Sequence, residues 1–339
     1  MKPKVLVIYT GGTIGMVRDE ETGSLVPFDF EHILDKVPEL KQFNFDVDTI
    51  SFSPIIDSSN MNPDVWIKLT DIIEEHYHDY IGFVILHGTD TMAYTASALS
   101  FMLHNLDKPV VFTGSQLPMG MIRTDGKENL ITAIEIAADQ KDNQAQVPEV
   151  CIFFQDKLYR GNRTTKYNAE NFRAFRSDNY PALAEIGLHI KYNYPFIRYR
   201  KMKEMFFVSR KMDNRVALLK IFPGMSETMI RSVFEIEGIR AVVMETFGSG
   251  NAPNVPWFLD AIKQAVEKGI IILNVTQCLA GSVEMWRYET GMILEQLGVV
   301  NGYDLTTEAA ITKLMYLLGR ESSATQIKRK LNKSLRGEI

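Results

Sequence analysis

The sequence predicts an α/β protein: a larger N-terminal domain whose mostly parallel sheet is linked by crossover helices, then a smaller C-terminal α/β domain. Three observations lead there. Short apolar runs ending in Gly, Thr or Ser alternate with longer segments of helical period. The runs lack the polar alternation of a sheet with one wet face, so they read as buried strands. The 339 residues correspond to roughly two domains at about 100 to 200 residues each.

The strands expected in the first part are Val5 to Tyr9, Phe83 to Leu86, Val110 to Thr113 and Val150 to Phe154. Between them, Asn62 and Pro63 form a cap and a first-turn proline, and Val65, Leu69, Ile72 and Ile73 then make one apolar stripe of a helix. A second helix follows Asp125 and buries Leu130, Ile134 and Ile136 or Ala137. Aromatic and basic residues crowd together over 191 to 215, where eight Lys and Arg stand against two acids. This stretch reads as an exposed inter-domain connection, with an RNA-facing patch as its alternative. The organisation expected is a domain over 1–191, a linker over 192–213 and a second domain over 214–339. In the last, Val216 to Ile221, Ala241 to Glu245 and Ile270 to Val275 are strands, and Trp257 to Glu267 and Glu308 to Leu318 are helices.

Composition narrows the function classes. Hydrophobic residues at 45% and charged residues at 23% are those of an ordinary folded protein and exclude disorder and low-complexity scaffolding. A formal charge of -5 provides no global positive field to gather nucleic acid. No run of 18 apolar residues occurs, and Val5 to Tyr9 is too short for a signal-peptide core, so no membrane partner and a cytoplasmic location are expected. Two cysteines, Cys151 and Cys278, exclude a disulfide scaffold and a Cys-only zinc site. His76 and His78 lie two apart on a predicted helix and do not chelate together, and no H-E-x-x-H or G-x-S-x-G motif occurs.

Ligands of open parallel sheets sit beyond the carboxyl ends of the strands. Three glycine-flanked, hydroxyl-rich loops follow strands there: Thr10-Gly11-Gly12-Thr13-Ile14-Gly15, His87-Gly88-Thr89-Asp90-Thr91 and Thr113-Gly114-Ser115-Gln116. Taken singly, Thr13 or Thr89 would simply cap a helix. Together they suggest chemistry, because Gly11 and Gly12 leave bare N–H groups around Thr13 suited to an oxyanion. The G-G-x-x-G order is not a phosphate or dinucleotide fingerprint, which leaves nucleotide binding as a weaker alternative. A threonine nucleophile needs a base. Lys166, in the polar segment Arg160-Gly161-Asn162-Arg163-Thr164-Thr165-Lys166, is the candidate, with Asp90 beside Thr89 to orient it or to pair with a cationic substrate group.

Both threonine motifs at this spacing, with Asp57-Ser58-Ser59-Asn60-Met61 between them, Arg163-Thr164-Thr165-Lys166 after them and Phe247-Gly248-Ser249-Gly250-Asn251-Ala252-Pro253 late in the chain, resemble the bacterial L-asparaginases of the asparaginase and glutaminase family. The likeness covers essentially the whole chain, and Tyr94 to Phe101 is worded like the cytoplasmic, type I branch. It implies hydrolysis of L-asparagine, in preference to glutamine, to L-aspartate and ammonia through a β-aspartyl-threonine ester, with no metal and no cofactor. On that pattern Thr13 matches the nucleophile, and Thr89, Asp90 and Lys166 match the second catalytic group. Asp57, Ser58 and Ser59 match the loop holding the substrate's α-carboxylate and α-ammonium, the latter also faced by Asp90. The resemblance further implies a homodimer or homotetramer in which Asn251 matches a residue near the neighbouring subunit's site.

Two positions depart from the pattern. Members often carry a tyrosine on the loop after the nucleophile, whereas Arg18 to Val26 has none and Leu25 stands near its place. Some type I members also hold a regulatory asparagine using an arginine, where this chain has Glu245; Cys278 and Thr165 match that second site. The amidase subunit of a tRNA-dependent amidotransferase shares the threonine motifs but carries an extra N-terminal domain, for which a first strand at Lys4 leaves no room.

Overall fold

The computed structural model describes residues 2–18, 25–27, 37–200 and 204–339, with the backbone alone for 17–18 and 25–27. The chain divides into two compact units, Met1–Arg210 and Lys211–Ile339. Both are α/β, as the apolar runs and helical periods predict.

Unit one opens with β1 (Lys4–Tyr9), the short pair β2 (Met16–Arg18) and β3 (Leu25–Pro27), and β4 (Asp46–Ser51). Then come α1 (Pro63–Glu75), β5 (Gly82–Leu86), α2 (Met92–Met102), β6 (Leu103–His104), β7 (Val110–Thr113) and α3 (Gly126–Ala138). A small hairpin of β8 (Gln140–Lys141) and β9 (Gln144–Ala145) leads to β10 (Val150–Phe154) and β11 (Lys157–Arg160). The unit closes with β12 (Thr165–Lys166), β13 (Phe175–Arg176), β14 (Ala184–Ile186), β15 (Ile190–Tyr192) and β16 (Phe207–Val208).

The main sheet has the order β15-β14-β11-β10-β7-β5-β1-β4. It is parallel from β4 to β10, and β11, β14 and β15 extend it antiparallel. That antiparallel extension is not anticipated by the strand-and-crossover reading. Since β1 lies between β4 and β5, the chain leaves it to one side and returns on the other, making the crevice beyond β1 and β5 the switch point where ligands are expected. One face of the apolar runs fills the core against α3, where Val5, Val7, Val84, Leu86 and Val111 pack with Leu130, Ile134 and Ala137, while Leu6, Ile8, Phe83 and Ile85, alternating with them, are buried as well.

Local chemistry fixes the helices. Asn62 caps α1 by accepting from the N–H groups of Asp64 and Val65, and Pro63 opens its first turn. Its buried face is Trp66, Leu69, Thr70 and Ile73, rotated from the expected stripe: Val65 and Ile72 are only partly covered. The helix ends at Glu75, so His76 is its C-cap and His78 lies beyond it. In α2 every residue but Tyr94 is buried, and its Ala, Ser and Thr residues allow close approach from all sides.

Segment 192–210 contains a 3-10 turn, Tyr194–Phe196, and β16, which pairs with β6. Unit two has β17 (Val216–Lys220), α4 (Glu227–Phe234), β18 (Ala241–Thr246), α5 (Pro256–Glu267), β19 (Ile271–Thr276), α6 (Glu289–Gln296), β20 (Val300–Asn301), α7 (Thr307–Arg320) and α8 (Ala324–Leu331). Its four strands are all parallel in the order β17-β18-β19-β20, over a core that includes Val242, Met244, Phe258, Ile262 and Ile272. Among the described residues no helix is long and apolar enough to cross a membrane.

Candidate active site

Beyond the carboxyl ends of β1, β5 and β7, three loops are pressed together at glycines. Gly12 has φ 96°, and a Cβ built on it would lie 2.5 Å from the Gly88 nitrogen. A Cβ on Gly88 would meet Ser58 Oγ at 2.5 Å, and one on Gly114 would meet the His87 carbonyl at 2.5 Å. No side chain fits at these contacts, so the motif glycines bring the Thr13 turn against Gly88 and Gly88 against Ser58. Hydrogen bonds continue the sheet into the loops: Thr10 donates both its N–H and its hydroxyl to the Leu86 carbonyl, at 3.0 and 2.9 Å, and the Ile56 N–H donates to the Thr10 carbonyl at 2.7 Å.

Neither threonine is a side-chain cap. Thr13 opens a 3-10 turn whose N-cap is Gly12, and it is partly exposed. Thr89 precedes α2, whose N-cap is Thr91; the Thr91 hydroxyl donates instead to the Ser58 carbonyl at 2.6 Å. The Thr89 hydroxyl is engaged by Lys166, whose Nζ donates to Thr89 Oγ1 at 2.9 Å and to Asp90 Oδ1 at 2.7 Å. Asp90 presents 68% of its side chain to solvent and Lys166 only 16%, so the cluster has a wet carboxylate end and a covered ammonium end.

Lys166 reaches this place by a longer route than a loop directly after β10. The chain turns back as β11, makes a 3-10 turn at Gly161–Arg163, and sets Lys166 on β12, opposite Phe175 of β13. Under that turn lies a buried ion pair. Arg160 donates Nε to Glu149 Oε2 at 2.6 Å and Nη2 to Oε1 at 3.0 Å, with its guanidinium over the Tyr180 ring at 4.3 Å. Thr164 then ties the turn to the Arg160 carbonyl at 2.7 Å.

Asp57, Ser58 and Ser59 form the third wall. Asp57 Oδ1 accepts from the Ser59 N–H and hydroxyl, both at 2.8 Å, and these donors hold its carboxyl below the usual carboxylate range. Ser58 is buried, while Asp57 and Ser59 are exposed.

Residues without a role in the sequence reading support the loops. His87 is fully buried, and desolvation pushes its imidazole down to about 4. It is therefore neutral. Its Nδ1, 2.7 Å from the Gly88 carbonyl, carries the proton, and Nε2 accepts from the Thr95 hydroxyl at 2.9 Å, itself held by the Trp66 indole N–H at 3.1 Å. Tyr9 lies beneath the Thr13 turn, its ring where a side chain on Gly15 would stand, and burial raises its phenol to about 12. The Leu25 position has its backbone paired with Arg18; its side chain, and residues 19–24 of the stretch lacking a tyrosine, lie outside the described residues.

The family model described as "Asparaginase, N-terminal" matches residues 4–198, and that described as "Glutaminase/Asparaginase C-terminal domain" matches 215–331. The chain belongs to the asparaginase family. It is 43% identical to L-asparaginase 1 of Escherichia coli (strain K12), over all of this chain and 98% of that protein. It is 41% identical to the 60 kDa lysophospholipase of Mus musculus, over 99% of this chain and 62% of that longer protein. The crystal structure of L-asparaginase I from Vibrio cholerae O1 superposes with a TM-score of 0.90 at 40% identity, covering 100% of this chain and 99% of that one.

Three residues that the family resemblance singled out, Glu245, Asn251 and Cys278, lie in unit two. Asn251 closes a turn with Phe247, each N–H donating to the other's carbonyl at 2.8 Å. Glu245, at the end of β18, is buried between the Thr307 hydroxyl at 2.6 Å and Lys220 Nζ at 3.1 Å. Cys278 is an exposed free thiol and Cys151 a buried one, whose thiol is raised by burial. Among the described residues no group of three His, Cys, Asp or Glu side chains is placed to hold a metal ion.

Proposed function

We propose that this chain hydrolyses L-asparagine to L-aspartate and ammonia through a covalent ester on Thr13. The observation that carries the reading is the bridging of Thr89 and Asp90 by Lys166, at 2.9 and 2.7 Å, beside the glycine-packed turn that bears Thr13. The Thr13 hydroxyl oxygen attacks the side-chain carbonyl, the C–N bond breaks, and the hydroxyl proton departs on nitrogen as ammonia. Thr89 and Lys166 are the conduit for that proton. Water then cleaves the ester over the same conduit and regenerates the hydroxyl.

Recognition of a zwitterionic amino acid suits the remaining side chains. Asp57 and Asp90 offer carboxylates to an α-ammonium, while Ser58, Ser59 and loop N–H groups suit an α-carboxylate. The preference for asparagine over glutamine rests on one methylene, worth about 1 to 3 kcal/mol in a fitted pocket. Ammonia release from the two amides, measured side by side, tests the reading. Strongly favoured asparagine supports it, comparable kcat/KM would remove the preference, and release from neither would refute the activity.

A cytoplasmic location and assembly as a homodimer or homotetramer belong to the same proposal. The free thiols Cys151 and Cys278 suit a reducing compartment. Large apolar side chains left exposed, Ile122 in unit one and Trp286 in unit two, suit burial between copies. Sedimentation of the purified chain as a monomer would overturn the assembly.

A further inference from the structure

His87 uses both ring nitrogens inside the protein, and its partners leave it one tautomer. The Gly88 carbonyl, which can only accept, lies 2.7 Å from Nδ1, so Nδ1 carries the single proton of the neutral ring. Nε2 must then accept. It does so from the Thr95 hydroxyl at 2.9 Å, whose oxygen is in turn held by the Trp66 indole N–H at 3.1 Å. Trp66 belongs to α1 and Thr95 to α2, so the fully buried imidazole lies on the side of the loop that these helices cover.

The bond to Gly88 sets the plane of a peptide. Gly88 is buried, and among the described residues its carbonyl has the imidazole as its one partner. In a trans peptide the C=O and the following N–H point in opposite directions. With the Gly88 carbonyl drawn to the ring, the Thr89 N–H faces away from the helices, toward the partly exposed side of the loop, and has no partner among the described residues. The N–H of Thr13, at the start of its 3-10 turn, is likewise unpaired among the described residues. The two turns abut, because a Cβ on Gly12 would lie 2.5 Å from the Gly88 nitrogen and 2.6 Å from its Cα. Two bare N–H groups, one after each glycine, therefore belong to touching pieces of backbone at the turn that bears the Thr13 hydroxyl.

We infer that His87 is a positioning residue for amide hydrolysis: by holding the Gly88 carbonyl it aims the Thr89 N–H at the oxygen of the substrate's side-chain carbonyl, where negative charge gathers as Thr13 attacks. This rests on the asparagine-hydrolase reading above. Donors stabilise an oxyanion best when they are fixed before the reaction, so the worth of this N–H depends on a peptide that does not turn. Glycine at position 88 offers little torsional resistance of its own. Without the imidazole the buried carbonyl loses its partner, and its remaining route to one is toward water in the cleft, which brings a C=O to where the N–H stood. The loss falls on the transition state, since the oxygen is nearly neutral in the bound amide.

Ammonia release from L-asparagine by wild type, His87→Asn and His87→Gln at neutral pH tests the inference. Asparagine keeps an N–H donor near the place of Nδ1 and gives up the reach to Thr95. Glutamine is longer, fills the site better and carries its amide to the place of Nε2, beside Thr95, leaving the Gly88 carbonyl bare. His87→Asn is expected to keep kcat within about tenfold of wild type and His87→Gln to lose about a hundredfold, the scale of one oxyanion donor, with KM changed less than about threefold in both. A purely structural role gives the reverse order, because glutamine leaves the smaller void and keeps the Thr95 bond. If His87→Gln fails to fold, the nitrogen-15 shifts of the wild-type His87 ring decide: a proton on Nδ1 is expected, and a proton on Nε2 overturns the inference. A kcat for His87→Gln at or above that of His87→Asn, or a loss confined to KM, overturns the inference while leaving the hydrolase reading intact. A wild type that releases no ammonia overturns that reading and this inference with it.

Discussion

Lys166 and Thr89, 77 positions apart in the sequence, are joined by a hydrogen bond of 2.9 Å from the lysine ammonium to the threonine hydroxyl. The same ammonium reaches Asp90 at 2.7 Å, so a single cation organises both side chains at the start of α2.

Replacing that cation separates proton transfer from binding. Lys166→Met is expected to lower kcat by roughly three powers of ten and to change KM little, because Lys166 is assigned to the conduit. Stability is expected to move by less than about 1 kcal/mol, since the Asp90 end of the pair is largely exposed. Steady-state kinetics alongside a thermal melt check both. A variant with normal turnover at saturation and a much raised KM would instead place Lys166 in the substrate pocket.

Asp90 is assigned two tasks, and a cycle of two changes divides them. Asp90→Asn is expected to raise KM for asparagine as well as lower kcat. An asparagine analogue lacking the α-amino group is expected to be a poor wild-type substrate that the mutation harms much less. The coupling between the two changes is expected to be about 10- to 100-fold in kcat/KM. Simple additivity would show that Asp90 does not meet the ammonium.

Much of this arrangement is legible before any coordinates. The turns at Thr10 to Gly15 and His87 to Thr91 announce themselves because glycines and hydroxyls follow apolar runs, and in a parallel sheet such turns gather at one edge. What stays hidden depends on partners distant in sequence. The Lys157 to Arg160 segment is short and only alternately buried, and its pairing with β10 and β14 is invisible in its own four residues. Arg160 and Glu149 look like two ordinary surface charges until the hairpin buries them against each other. In α2 the small residues are covered on all sides, so no polar face marks a helical period. Gln116 could be placed on its loop from sequence, but its orientation comes from carbonyls more than 50 residues away.

His87 makes stability depend on pH. Its folded value of about 4 lies below its ordinary 6.5, so between these values the unfolded chain binds the extra proton. Stability from this group is complete above pH 6.5 and falls as pH drops toward 4, by up to about 3 kcal/mol. Denaturant titrations of wild type and His87→Asn at several pH values across that window check it. The variant is expected to be less stable near neutrality but to show a shallower dependence on pH, whereas parallel curves would contradict the assignment.

The nucleophile is the centre of the account, and one measurement addresses it directly. Asparagine is mixed with enzyme, the reaction is quenched with acid during turnover, and the intact protein and its peptides are weighed by mass spectrometry. The predicted result is a β-aspartyl adduct on the peptide containing Thr13. The adduct is absent from Thr13→Ala, which is expected to fold and melt like wild type but to turn over at least about a thousandfold more slowly. An adduct on another residue, or a Thr13→Ala enzyme that keeps the wild-type rate, would contradict the account.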